Sequence, residues 1–212
     1  MKEAQLAVVA GDGIGPEIME AALQVFGKAA RRQNLSCTFV NLLAGGAALE
    51  ACGEPLPEAT VKAAQGASAV LLGAVGDPKW DSVEPGKRPE KAILGLRKAL
   101  GLYANLRPVE AAFSDEEASP LKKERLEGTD LIIVRELGGG IYYGERQEGD
   151  EFASDMECYS LQEVNRILQL AAQIASRRRK KVTSIDKANV LATSRLWRKA
   201  ATVVAEEYKE LQ

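Results

Sequence analysis

Three arginines, a tyrosine and a lysine are the residues of this sequence best suited to chemistry. Arg107 in Asn105-Leu-Arg-Pro108 and Arg135 in Val134-Arg-Glu136 each close an apolar, strand-like run. Ligands of α/β proteins gather at strand ends. Arg97 belongs to a third group, Glu90, Ile93, Leu94 and Arg97, spaced i, i+3, i+4, i+7 on one face of a predicted helix. That face is either the buried side of an amphipathic helix or a ligand surface with a carboxylate, two aliphatic groups and a guanidinium. Guanidinium groups bind carboxylates through paired N–H donors, so three of them suit a di- or tricarboxylate. Each alone also reads as half of a structural ion pair. Tyr142 follows a run of three glycines, and Lys187 lies in Ile185-Asp-Lys-Ala-Asn-Val190, at another predicted strand end. A lysine leaving a buried strand for a polar pocket can act as a base, with tyrosine as the acid. Taken singly, each reads as an ordinary surface residue.

The turn Gly11-Asp-Gly-Ile-Gly-Pro-Glu17 stands before a predicted helix, a favourable place for an anion. It fails the dinucleotide fingerprint, because Pro16 occupies the sixth position, and it lacks a P-loop lysine. A tight structural turn explains it equally well.

These residues need a framework, and the composition supports one. The 212 residues are 46% hydrophobic with a net charge of −2, enough apolar material for a substantial core and no basic excess for nucleic acid or an anionic membrane. No histidine occurs, which removes Ser-His-Asp and Cys-His pairs, His-ligated zinc and histidine-base dehydrogenases. Cys37, Cys52 and Cys158 are odd in number and lack CxxC spacing, so free thiols in a reducing cytoplasm are expected. The early apolar run is too short for a signal peptide, and no run reaches membrane-spanning length.

Patterning predicts strands over 6–10, 37–43 and 69–72, with helices from Pro16 to about Arg32 and over 57–65. This is an α/β region with parallel pairing, running to about residue 100. Beyond it, strands are predicted over 102–107, 131–135 and 182–185, with an exposed acidic loop or hairpin over 148–156. A capping box, Ser160-Leu-Gln-Glu163, opens a helix that ends in the basic run 177–181. That run complements the helix dipole and faces solvent. A final amphipathic helix carries Leu196, Ala200, Val203 and Val204.

Read together, Gly11-Asp-Gly-Ile-Gly-Pro-Glu17, Gly73-Ala-Val-Gly-Asp-Pro-Lys-Trp-Asp81, Arg88-Pro-Glu90 with Leu96-Arg-Lys98, Asn105-Leu-Arg-Pro108, Val134-Arg-Glu-Leu137, Gly139-Gly-Ile-Tyr142 and Asp186-Lys-Ala-Asn-Val-Leu191 resemble a known family. It is that of the isocitrate/isopropylmalate, or β-decarboxylating, dehydrogenases, and within it the 3-isopropylmalate dehydrogenases. The resemblance spans essentially the whole chain, in family order and spacing. It implies an α/β fold of that family, truncated before the C-terminal half of the first domain. Residues 1–100 would be the N-terminal part of the large first domain, and 101–212 part of the small, dimerisation domain.

The implied reaction is NAD-dependent oxidative decarboxylation of 3-isopropylmalate, a step of leucine biosynthesis, in a cytoplasmic homodimer. Arg97, Arg107 and Arg135 match the family's carboxylate clamp. Lys187 matches the lysine that helps remove the hydroxyl proton, in the partner subunit's site, and Tyr142 the tyrosine that protonates the enolate. Ile93, Leu94 and Val190 match the pocket for the isopropyl group. Ile14, Glu90 and Asn189 match residues near the nicotinamide. Mg2+ or Mn2+ is implied too, its ligands expected in a segment that relatives carry beyond Glu207-Tyr208, so no metal ligand is assigned here.

Three alternatives stay open: a chain inactive alone, a noncatalytic binding or assembly remnant, or a relative acting on isocitrate, homoisocitrate or tartrate. Isocitrate carries a carboxymethyl group where Ile93 and Leu94 would lie, and this disfavours it. Apolar contact discriminates by only about 1–3 kcal/mol per methylene, however. Gly138, where many relatives have threonine, is the one departure within the motifs. The shortness of the chain also predicts an open edge and uncovered apolar surface on the first sheet.

Overall fold

In the computed structural model, which describes residues 2–110 and 119–212, four successive residues, Leu6 to Val9, are buried. Alternate strand residues face opposite ways, so β1 (Lys2–Gly11) is covered on both faces. The first of two compact units, Met1–Gly101, continues with α1 (Gly15–Arg32), β2 (Leu35–Asn41), α2 (Gly46–Cys52), α3 (Glu58–Gly66), β3 (Ala69–Ala74) and α4 (Glu90–Ala99). β2 and β3 pair in parallel on either side of β1, with Leu6 opposite both Phe39 and Ala69. α1 packs on all three strands. Val9, Ala44, Ala64, Ala92 and Leu96 form the core between β1, α3 and α4. Each large aliphatic side chain so buried contributes about 1.5–3 kcal/mol.

The predicted parallel α/β arrangement is thus present. β2 begins at Leu35, two residues earlier than the pattern suggests, and α2 was not anticipated. At seven residues, α2 is too short for an apolar period to show. Among the described residues β3 has β1 as its one ladder neighbour and leaves Leu72 exposed.

α4 resolves one ambiguity. Its buried residues are Ala92 and Leu96, and a Cβ on Gly95 would lie 2.5 Å from Leu56 Cδ2. The face that meets the core is therefore not that of Glu90, Ile93, Leu94 and Arg97. Ile93, Leu94 and Arg97 stay half-buried and Glu90 is exposed.

The second unit, Leu102–Gln212, comprises β4 (Ala104–Glu110), α5 (Lys123–Leu126), β5 (Asp130–Glu136), β6 (Arg146–Gln147), β7 (Ser154–Asp155), α6 (Leu161–Ser176) and α7 (Ala192–Glu207). β4 and β5 are antiparallel, with Asn105 opposite Arg135 and Arg107 opposite Ile133. β6 and β7 form the expected exposed hairpin. The capping box is complete: Ser160 Oγ accepts from the Glu163 N–H at 3.2 Å, and Glu163 accepts from the Ser160 N–H at 2.7 Å. α6 and α7 share a core of Val164, Leu168, Ala172, Ala200 and Val204. Residues 177–181 are exposed, with Arg178 and Arg179 both donating to Asp130.

One predicted strand is absent. Residues 182–185 are irregular, and the Val182 N–H donates to the Gln212 carbonyl at 2.8 Å. The run has strand-like composition, but a ladder needs a second strand beside it, and none of the described strands pairs with it. Lys187 therefore stands in a loop entering α7, not at a strand end.

Candidate functional site

The second unit holds a cleft of about 510 Å3, lined by Ile133, Arg135, Tyr142, Asp186, Ser194 and Trp197 among others. Two sequence candidates, Arg135 and Tyr142, meet in it. The Arg135 guanidinium lies 5.5 Å from the centre of the Tyr142 ring, a cation–π arrangement. Arg107 belongs to the same sheet face, since alternate residues share a face and Asn105 is cross-strand partner to Arg135. Asn105 Oδ1 accepts from Arg107 Nε at 2.8 Å, which holds that guanidinium beside the cross-strand pair.

The electrostatics of the cleft are decided by which charges are already engaged. Glu136 accepts from Arg166 Nη2 at 2.7 Å and from the Gly138 and Gly139 amides at 2.8 Å each. Glu157 accepts from Thr193 Oγ1 at 2.7 Å. Asp186 is bound by Arg198 at 2.7 and 2.9 Å and by the Ala188 amide at 3.0 Å. Those hydrogen bonds, the guanidinium's first, hold the Asp186 carboxyl below the ordinary carboxylate range. Every acid of the lining has its own partner. Among the described residues, none of Arg97, Arg107, Arg135 and Lys187 forms an ion pair. None of these cations is thus half of a structural ion pair among the described residues.

Lys187 is exposed and absent from the cleft wall; its amide donates to Ser194 Oγ at 3.0 Å. Asn189 and Val190 follow it, both exposed. The Lys187, Ala188, Asn189 and Val190 turn closes through the Val190 N–H to the Lys187 carbonyl at 3.1 Å.

In the first unit the glycine turn is organised by Asp12, which sequence reasoning passed over. Its buried carboxylate accepts from the Gly46, Gly76 and Asp77 amides at 2.6, 2.8 and 2.8 Å. Gly11 has a φ of +83° and lies so close to β3 that a Cβ would come 1.8 Å from the Ala74 carbonyl oxygen. Beyond the turn Ile14 is 54% exposed. A Cβ on Gly76 would come 2.9 Å from Glu90 Oε1, so the absence of a side chain there lets that carboxylate lie against the glycine backbone. Among the described residues no three His, Cys, Asp or Glu side chains converge to hold a divalent metal, so no step below runs through a metal.

Other contributors lacked a local signal. Arg166 reaches Glu136 across thirty residues of sequence. Tyr159 packs edge-on to Trp197 at 5.6 Å, and burial, then the Glu136 charge, pushes its phenol above the usual tyrosine range. The three cysteines are free. No helix among the described residues is long and apolar enough to cross a membrane.

A sequence profile described as isocitrate/isopropylmalate dehydrogenase matches residues 5–212. A 3-isopropylmalate dehydrogenase of Clostridium pasteurianum is 52% identical over all of this chain and 61% of its own length. That of Listeria monocytogenes is 49% identical over 98% of this chain and 59% of its own. Among solved structures, a β-decarboxylating dehydrogenase from Thermococcus kodakarensis aligns with a TM-score of 0.71 at 32% identity, over 97% of this chain and 55% of that one. An isocitrate dehydrogenase from Methylococcus capsulatus aligns with a TM-score of 0.78 at 30% identity, over 99% and 59%. The chain thus spans about three-fifths of the length of the curated relatives it matches.

Proposed function

Because the chain belongs to the isocitrate/isopropylmalate dehydrogenase family, we propose that it serves the NAD-dependent oxidative decarboxylation of 3-isopropylmalate, as a cytoplasmic homodimer in leucine biosynthesis. The observation that carries this reading is the set of cations without acid partners among the described residues, above all Arg135 beside Tyr142 in a cleft whose own acids are engaged.

Arg97, Arg107 and Arg135 take the malate carboxylates. Ile93, Leu94 and Val190, which are half-buried or exposed, offer apolar contact to the isopropyl group. Lys187 accepts the hydroxyl proton as the carbinol hydride leaves, giving a 2-oxo acid that retains its β-carboxylate. The bound dinucleotide supplies the hydride acceptor, its nicotinamide end held by Ile14, Glu90 and Asn189. The bond to the β-carboxylate then breaks, carbon dioxide departs, and the electron pair forms an enolate. Tyr142 donates the proton that converts it to the ketone. Arg135, stacked on that ring, keeps positive charge next to the developing enolate oxygen. The exposed, unengaged Lys187 is compatible with a role in a partner subunit's site.

The test is NADH formation from 3-isopropylmalate, NAD and Mg2+, by the chain alone and with a complementing segment covering the remainder of a relative. Turnover that falls in Tyr142→Phe supports the proposal, and no NADH in either arrangement overturns it. The rival reading, a noncatalytic binding or assembly module, draws on the lack of a metal-binding cluster among the described residues. Measurable turnover by the chain alone removes that rival.

A further inference from the structure

Tyr142 is delivered by a segment that contributes almost no side chains of its own, Gly138, Gly139, Gly140 and Ile141. Such a run has no intrinsic reason to hold one conformation, because glycine backbones carry the largest conformational entropy. The structure supplies the restraint from outside. Glu136 has a side chain 1% exposed, and one of its oxygens accepts from both the Gly138 and the Gly139 amides at 2.8 Å. Its other oxygen accepts from Arg166 Nη2 at 2.7 Å. Arg166 in turn lies 4.8 Å from the centre of the Tyr103 ring, anchored to the start of the second unit.

The position of Arg166 depends on Gly138. A Cβ there would stand 2.1 Å from Arg166 Nη2, so the guanidinium occupies the space a side chain would need. The lack of a side chain at 138 therefore admits the group that braces the turn. On the other side Tyr159 presses against the run, a Cβ on Gly139 or Gly140 lying 3.0 or 2.4 Å from its ring or hydroxyl. The Gly140 N–H donates to the Cys158 carbonyl at 2.8 Å.

We infer that Glu136, braced by Arg166, is a positioning residue for Tyr142: its buried carboxylate ties down the two amides that lead to the tyrosine and so keeps the ring on Arg135. Strand alternation explains the division of labour. Arg135 and Glu136 are neighbours on β5, so Arg135 turns to the exposed face while Glu136 turns inward to the loop. The functional importance of this placement rests on the proposed role of Tyr142; the placement itself does not.

The experiment uses the full 212-residue chain with 3-fluorotyrosine at position 142 and amide exchange followed by NMR, neither of which needs substrate. Glu136→Gln preserves shape but loses the charge. It is expected to speed exchange at Gly138 and Gly139 on the order of tenfold or more, as loss of a charged hydrogen bond implies. It should also move the fluorine signal toward that of Arg135→Met, where the stacking is absent. Arg166→Met, a substitution at a partly exposed side chain, should do the same, while Arg166→Lys should restore much of the native signal. Amides of Val164 and Leu168 in α6 should keep their native exchange. An unmoved fluorine signal with native exchange at both glycines overturns the inference. So does a change at the glycines seen only together with equal acceleration through α6, which marks a merely structural pair. Turnover by Tyr142→Phe bears on the acid role alone, so the two ideas can fail separately.

Discussion

Arg135 is the residue on which most of the proposed chemistry converges, and among the described residues it has no acid partner. A guanidinium in a cleft whose acids are all engaged elsewhere is ready for a carboxylate at little reorganisation cost. Arg135→Met is expected to weaken binding of a malate-type dicarboxylate by roughly 10- to 100-fold, as loss of charged hydrogen bonds implies, with Arg135→Lys intermediate. Titration calorimetry reads this directly, and unchanged affinity would remove Arg135 from the clamp. Tyr159 gives a second, pH-dependent expectation. Burial first, then the charges of Glu136, Glu157 and Glu163, favour its neutral phenol against the opposing effect of Arg135. The folded form therefore holds the proton more tightly than the unfolded chain. The associated stability is complete below the ordinary tyrosine value of 10.0 and declines as pH rises through the higher native value. Thermal midpoints measured through the alkaline range should fall for the native chain and flatten in Tyr159→Phe.

At the scale of elements, two devices fix the turn after β1 and the start of α6. The Gly11 turn ends β1 against β3, where a left-handed backbone and a 1.8 Å approach leave no room for a Cβ. Gly11→Ala is expected to cost more than the ~1–2 kcal/mol of left-handed strain alone, because Ala74 would also have to move. A denaturant midpoint lowered by less than that would mean the turn re-forms elsewhere. The capping box at Ser160 opens the helix that carries Arg166, and Ser160→Ala should cost about 1 kcal/mol. The box was legible in four residues because a cap is a contact between near neighbours. The parallel sheet of the first unit was legible too, since doubly covered strands read as continuous apolar runs. The predicted strand over 182–185 was not correct, because pairing is a property of two segments and only one lies within its own pattern.

For the molecule as a whole, the proposed homodimer with Lys187 serving the partner's site makes a sharp expectation. Chains carrying Tyr142→Phe and chains carrying Lys187→Met should each be inactive alone. When mixed, they should regain turnover through the one intact site of each mixed dimer. No recovery, with exchange of subunits verified, would place both residues in the same chain's site or outside catalysis. Type and spacing singled out the arginines after apolar runs, the tyrosine after glycines, Lys187 and the helix face of Glu90, Ile93, Leu94 and Arg97, while their roles, and Ile14, Asn189 and Val190, came from the family resemblance. Periodicity and caps are local, so the amino-acid sequence by itself determined most of the helices, the parallel strands of the first unit and the residue types available for chemistry. Tertiary structure decided which groups remain available. It turned Ala92 and Leu96, not Ile93 and Leu94, into the core. It also gave each cleft acid a partner drawn from another part of the chain and joined Glu136 to Arg166 across thirty residues. Charge pairing and burial depend on neighbours in space, and no spacing along the chain records them.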